Sequence, residues 1–139
     1  MINIIKTTVR IAALVAAVTI ATSANAGSWH FHIKNETGSD VSFQNANTVG
    51  NGNFGCPGHS HNASFTIPGN PDPNTTDCHV TSEDKTTGTF ELVDKSNPVI
   101  KRCGVQYIER NLVPNPGAGF NCAWVSGFSG NKLILKNID

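Results

Sequence analysis

All four cysteines of this chain, Cys56, Cys78, Cys103 and Cys122, stand downstream of an export leader, and that combination constrains the fold more than any other feature. Lys6 and Arg10 precede the apolar run Ile11–Ala21, and Ala24 and Ala26 then form an A-x-A cleavage site. The run is about half the ~20 residues that a bilayer span needs. Residues 1–26 therefore read as a cleavable signal peptide with the compact layout of a bacterial one. An even number of cysteines in an oxidising compartment, secreted or periplasmic, predicts two disulfides. Three pairings are open. Cys56 with Cys78 and Cys103 with Cys122 is the preferred one, because the second pair would fall on neighbouring predicted strands. No C-x-x-C spacing points to zinc instead.

Removal of the leader leaves 113 of the 139 residues, enough for one domain and too few for two separate cores. Without Lys6 and Arg10, eight basic residues face ten acidic ones, a net charge of −2. A chain this poor in clustered Lys and Arg has no means of gripping a phosphate backbone, which argues against nucleic acid as a partner.

The mature chain reads as a series of short strands. Trp29, Phe31 and Ile33 alternate with His30, His32 and Lys34, the period of a strand with one apolar face. After the turn residues NETGSD, Val41 and Phe43 continue as a second strand, predicting an N-terminal hairpin. Residues 45–62 are so rich in Gly and Asn that they predict a long loop, a common place for a binding site. Ala63–Ile67 reads as a strand ended by Pro68, and GNPDPNTTD behind it as a turn-forming run. Thr89, Glu91 and Val93 then alternate with Phe90, Leu92 and Asp94 behind Gly88. Cys103, Val105 and Tyr107 share one face of the run Val99–Glu109, and Phe120–Ser126 and Leu133–Ile138 complete the set, with NLVPNPGAG and GFSGN as loops. No amphipathic helix of three turns appears after the leader. The expected fold is all-β, a single β-sandwich of seven or eight short antiparallel strands over residues 27–139.

Chemistry-bearing residues are few. His30 and His32 at i and i+2 share a strand face, and His59 and His61 repeat the spacing in the loop, an arrangement that can ligate Zn²⁺ or Cu²⁺. His79, Glu83, Glu109 and Arg110 include a base, an acid and a positive group of the kind a small secreted hydrolase brings together. No G-x-S-x-G, H-E-x-x-H or P-loop pattern accompanies them. The residues themselves call for no cofactor.

The stretch Thr86-Thr87-Gly88-Thr89-Phe90-Glu91-Leu92-Val93-Asp94 resembles the aegerolysin signature, a G-T-x-G-T/S-F-x-L-x-D run that follows a cysteine and, further upstream, an Ile-Pro. Cys78 and Ile67-Pro68 stand at those earlier positions, and Trp29–Val41 is similar to the opening of those proteins. The resemblance implies a β-sandwich that binds membrane lipid, in particular sphingolipid-containing bilayers, and that sometimes works with a second, pore-forming protein. Where the family carries an aromatic cluster downstream of the signature, Tyr107 is here followed by Ile108-Glu109-Arg110-Asn111, which leaves Trp29, Tyr107 and Trp124 as the aromatic candidates for ligand contact. The expected function is that of a secreted, non-catalytic lipid- or host-surface-binding protein. The alternatives are a protein- or glycan-binding interaction protein and, third, a small hydrolase or metal-binding protein built on the histidines.

Overall fold

A computed structural model describes residues 27–69, 74–128 and 130–138. The expected export leader, residues 1–26, and part of the Pro-rich run, residues 70–73, lie outside them. Among the described residues ten strands form two five-stranded sheets that pack face to face: β1 Trp29–Asn35, β2 Val41–Gly50, β3 Phe54–Gly55, β4 Phe65–Ile67, β5 Asn74–Val80, β6 Thr86–Asp94, β7 Arg102–Ile108, β8 Asn111–Pro116, β9 Phe120–Val125 and β10 Lys132–Asn137. Sheet A has the order β3-β5-β1-β10-β9 and sheet B the order β4-β2-β6-β7-β8. Pairing is antiparallel except between β1 and β10. The chain is thus an all-β sandwich, as its alternating pattern predicts.

Period-2 alternation decides which side chains meet between the sheets. Phe31 and Ile33 of β1, Cys78 and Val80 of β5, and Leu133 and Leu135 of β10 point inward from sheet A. Val41 and Phe43 of β2, Phe90 and Leu92 of β6, and Cys103, Val105 and Tyr107 of β7 point inward from sheet B. At the centre Phe90 stacks on Phe43 with ring centroids 4.7 Å apart, Phe43 stacks on Phe65 at 4.9 Å, and Phe54 meets Phe90 edge-on at 5.1 Å. Such pairs add about 0.5–1.5 kcal/mol each beyond the area they bury.

Both preferred disulfides form. Cys56, just past β3, bonds Cys78 on the neighbouring β5 within sheet A, with Cα atoms 4.3 Å apart. Cys103 and Cys122 do not lie on neighbouring strands: β7 belongs to sheet B and β9 to sheet A, so this bond crosses the core.

Four local expectations are corrected. β1 and β2 do not form a hairpin, because the chain changes sheets between them. The buried Asn35 fixes that crossing: its amide donates to the carbonyls of Ser39 at 2.8 Å and Ile67 at 3.0 Å, while its oxygen accepts from the Thr37 backbone N–H and hydroxyl. Residues 45–62 are not one loop. β2 continues through them to Gly50, past a bulge between Gln44 and Asn47 where Asn45 takes φ 53°, and β3 follows. That half of β2 is exposed or half-buried, and its backbone pairs with β6, so it needs no apolar residues. The turn-forming run ends earlier than expected, since β5 begins at Asn74. NLVPNP is strand β8, and Pro114 and Pro116 are tolerated because β8 is the edge of sheet B, where a missing N–H faces no partner strand.

Candidate functional site

The three aromatic candidates do come together. Trp29 lies 5.4 Å from Tyr107 and 5.6 Å from Trp124, ring centre to ring centre, at the end of the sandwich where β1 begins and β9 ends. They converge as packing, however, and Tyr107 is corrected from ligand contact to core. It occupies the inward parity of β7 behind Cys103 and Val105, and it is fully buried. Its hydroxyl donates to the Glu83 carbonyl at 3.4 Å, and burial pushes its pKa above the ordinary phenol value. Trp29 and Trp124 are half-buried against the same cluster, and the buried indole N–H of Trp124 meets no acceptor among the described residues.

The residue that does face solvent at this end is Phe128, which sequence reasoning left inside a GFSGN loop. It is fully exposed in the turn between β9 and β10, a turn that follows the exposed Val125. Register places that turn beside the tryptophans, because Trp124 pairs with Leu133 immediately below it. The turn is held against β1, where the His32 N–H donates to the Asn131 carbonyl at 2.8 Å. At the corresponding end of sheet B, the exposed Val49 and Ile108 line a hollow of about 390 Å³ that also includes Thr87 and Gln106. A lone aromatic between glycines has no periodicity to mark it, so only its exposure singles Phe128 out.

The histidines divide into separate contacts. His32 pairs with Asp77 on β5. His30 faces His79, its register partner on β5, with ring centroids 5.6 Å apart, and His61 approaches His79 edge-on at 6.4 Å. His59 stacks on Phe65 at 4.2 Å. The His30 and His32 pair is therefore split between two partners. Among the described residues no group of three His, Cys, Asp or Glu side chains is placed to hold a metal ion. Burial, then the charges of His30 and His61, hold the His79 pKa below the ordinary histidine value.

The hydrolase set is also divided. Glu109 and Arg110 form the turn between β7 and β8 with φ 47° and 61°, and Arg110 donates to Glu83 at 2.6 Å and to Asp84 at 3.2 Å. These residues line a hollow of about 420 Å³ with Lys85, Thr86 and Thr87. His79 is not part of it, because its ring is turned to the outer side of sheet A, toward His30 and His61.

A larger hollow, about 530 Å³, lies on the outer face of sheet B. Gly104 forms its floor, and Asn45, Thr89, Glu91, Gln106, Val113 and Asn115 surround it. The β2 bulge turns the Asn45 amide onto Glu91, donating to Oε2 at 2.7 Å, and Arg102 grips the same carboxylate at 2.8 and 2.9 Å. The Asn45 hydrogen bond first, then Arg102, hold the Glu91 pKa below the ordinary carboxylate value, against the opposing effect of burial. No transmembrane-length apolar helix occurs among the described residues, and the two disulfides are compatible with an extracellular or periplasmic setting. No protein-family model matches the chain, and no curated protein matches it at a significant level.

Proposed function

We propose that this is an exported, non-catalytic β-sandwich protein that binds a membrane-lipid surface of the sphingolipid type through the end of the sandwich that carries Phe128. One observation carries the reading: an aromatic side chain stands fully in solvent at a turn beside two half-buried tryptophans. Exposing a phenylalanine to water is unfavourable, and apolar side chains such as Phe and Leu insert at the boundary between lipid headgroups and acyl chains. Val125 at the end of β9, and Val49 and Ile108 on sheet B, are further exposed apolar residues at this end of the sandwich. The aegerolysin-like stretch Thr86–Asp94 supports the same class of ligand. The separation of His79 from Glu83, Glu109 and Arg110 supports a non-catalytic role.

The test is co-sedimentation of the mature protein with sphingomyelin–cholesterol liposomes, beside phosphatidylcholine liposomes. Selective pelleting with the former is expected. Burial of a phenylalanine side chain contributes about 1.5–3 kcal/mol, so Phe128→Ala should weaken partitioning by about tenfold or more. No pelleting with any sphingolipid composition sinks the proposal.

A further inference from the structure

The hollow on the outer face of sheet B shares Thr89 and Gln106 with the rim lined by Val49 and Ile108 but includes none of the exposed apolar residues assigned to the bilayer, and its chemistry points to a different ligand. We infer that it is a binding site for a neutral saccharide, seated on Gly104 and held by Asn45, Glu91, Gln106 and Asn115. Gly104 lies directly opposite Glu91 in the β6–β7 ladder, so the position facing the carboxylate carries no side chain. A Cβ at Gly104 would meet nothing within 4 Å, which leaves the sheet open to a flat ring at this point. The volume of about 530 Å³ suits one or two sugar rings and falls in the ordinary range of small-molecule sites, about 300–1,000 Å³.

Polarity and charge select the ligand class. Thr89, Gln106 and Asn115 are exposed and present a hydroxyl and two carboxamides, groups that both donate to and accept from hydroxyls. The charged group lining the hollow, Glu91, is neutralised by Arg102, so the site offers no net charge to an anion or a cation. Two donors, Asn45 Nδ2 and Arg102 Nη2, already hold the Glu91 carboxylate through three contacts. A carboxylate has about four lone-pair directions, which leaves it oriented with capacity for a further hydroxyl donor. The exposed Val113 supplies an apolar wall for the C–H face of a ring. The bulge that aims Asn45 into the hollow interrupts the β2–β6 ladder, a local irregularity of the kind that re-aims side chains at functional sites.

A printed panel of neutral hexose and N-acetylhexosamine oligosaccharides, with sialylated ones as anionic counter-probes, tests this on the mature protein. Binding to a subset of the neutral glycans is expected. Gly104→Leu, whose Cβ meets nothing within 4 Å and whose side chain projects into the hollow, should weaken binding by at least about tenfold, and Asn115→Ala by about three- to tenfold, the range of one hydrogen bond. Unchanged thermal melts would show that both variants fold. Liposomes with and without lactosylceramide separate a glycolipid headgroup from a free or protein-linked glycan, and retention on either source that Gly104→Leu removes supports the site. Silence across all neutral probes, preference for the sialylated ones, or binding indifferent to both substitutions overturns it. The two proposals fail separately, since Phe128→Ala should leave binding to the free oligosaccharides unchanged.

Discussion

Cys103 on β7 and Cys122 on β9 bond across the interior, with Cα atoms 6.5 Å apart, and thereby fasten sheet B to sheet A. Both residues are buried, so the bond is part of the core. It encloses a sequence separation of 19, and in the chain-entropy account a loop of that order stabilises the folded state by about 3 kcal/mol. Cys103→Ala/Cys122→Ala should lower the urea unfolding free energy by about that amount, with the Cys56–Cys78 bond intact. A loss well under about 1 kcal/mol would mean that the aromatic stack alone holds the sheets together.

Gly88 of β6 is required by close packing. A Cβ there would lie 2.8 Å from both the Asn47 carbonyl oxygen and the Phe54 ring. Phe54 cannot yield freely, because it packs edge-on against Phe43, Phe90 and Tyr107. Gly88→Ala should therefore destabilise by about 1–3 kcal/mol through overpacking, despite the better strand propensity of alanine. Equilibrium denaturation measures it, with near-ultraviolet dichroism reporting the shifted aromatics. A neutral or stabilised variant would show that Phe54 has room to move.

This constraint explains why part of the architecture is legible in the sequence. β1, β6 and β7 alternate because each has one face in the core, and the apolar row needs no knowledge of the partner strand. β8 carries two prolines, which read as a loop until its edge position is known. The outer half of β2 is stabilised by backbone pairing to β6, and Ala46 and Val49 among its Asn, Thr and Gly residues do not form an alternating apolar row. Sheet membership is equally silent: the turn after Asn35 looks like a hairpin turn, yet a buried amide network sends the chain to the other sheet. The candidate saccharide site is assembled from β2, β6, β7 and β8, so its members have no common spacing. Tyr107 and Trp124 were legible as aromatic residues, but strand parity decides that the first is core.

His79 gives the sandwich a pH-dependent stability. It faces His30 from β1 and His61 from the segment after β3, lies against Gly55 of β3, and is denied the nearby Asp77 carboxylate, which is paired with His32. Burial, with the two neighbouring imidazoles, depresses its folded pKa below the ordinary 6.5. Well above 6.5 the residue is neutral in both folded and unfolded chains, and its contribution to stability is fully present. As the pH falls below that value the unfolded chain takes up a proton that the folded protein resists, so stability drops until the folded pKa is passed. The melting temperature should therefore fall between about pH 7.5 and about pH 5.5, and His79→Gln should flatten the decline. Thermal melts at constant ionic strength measure both slopes, and an undiminished decline in the variant would assign the effect to other groups.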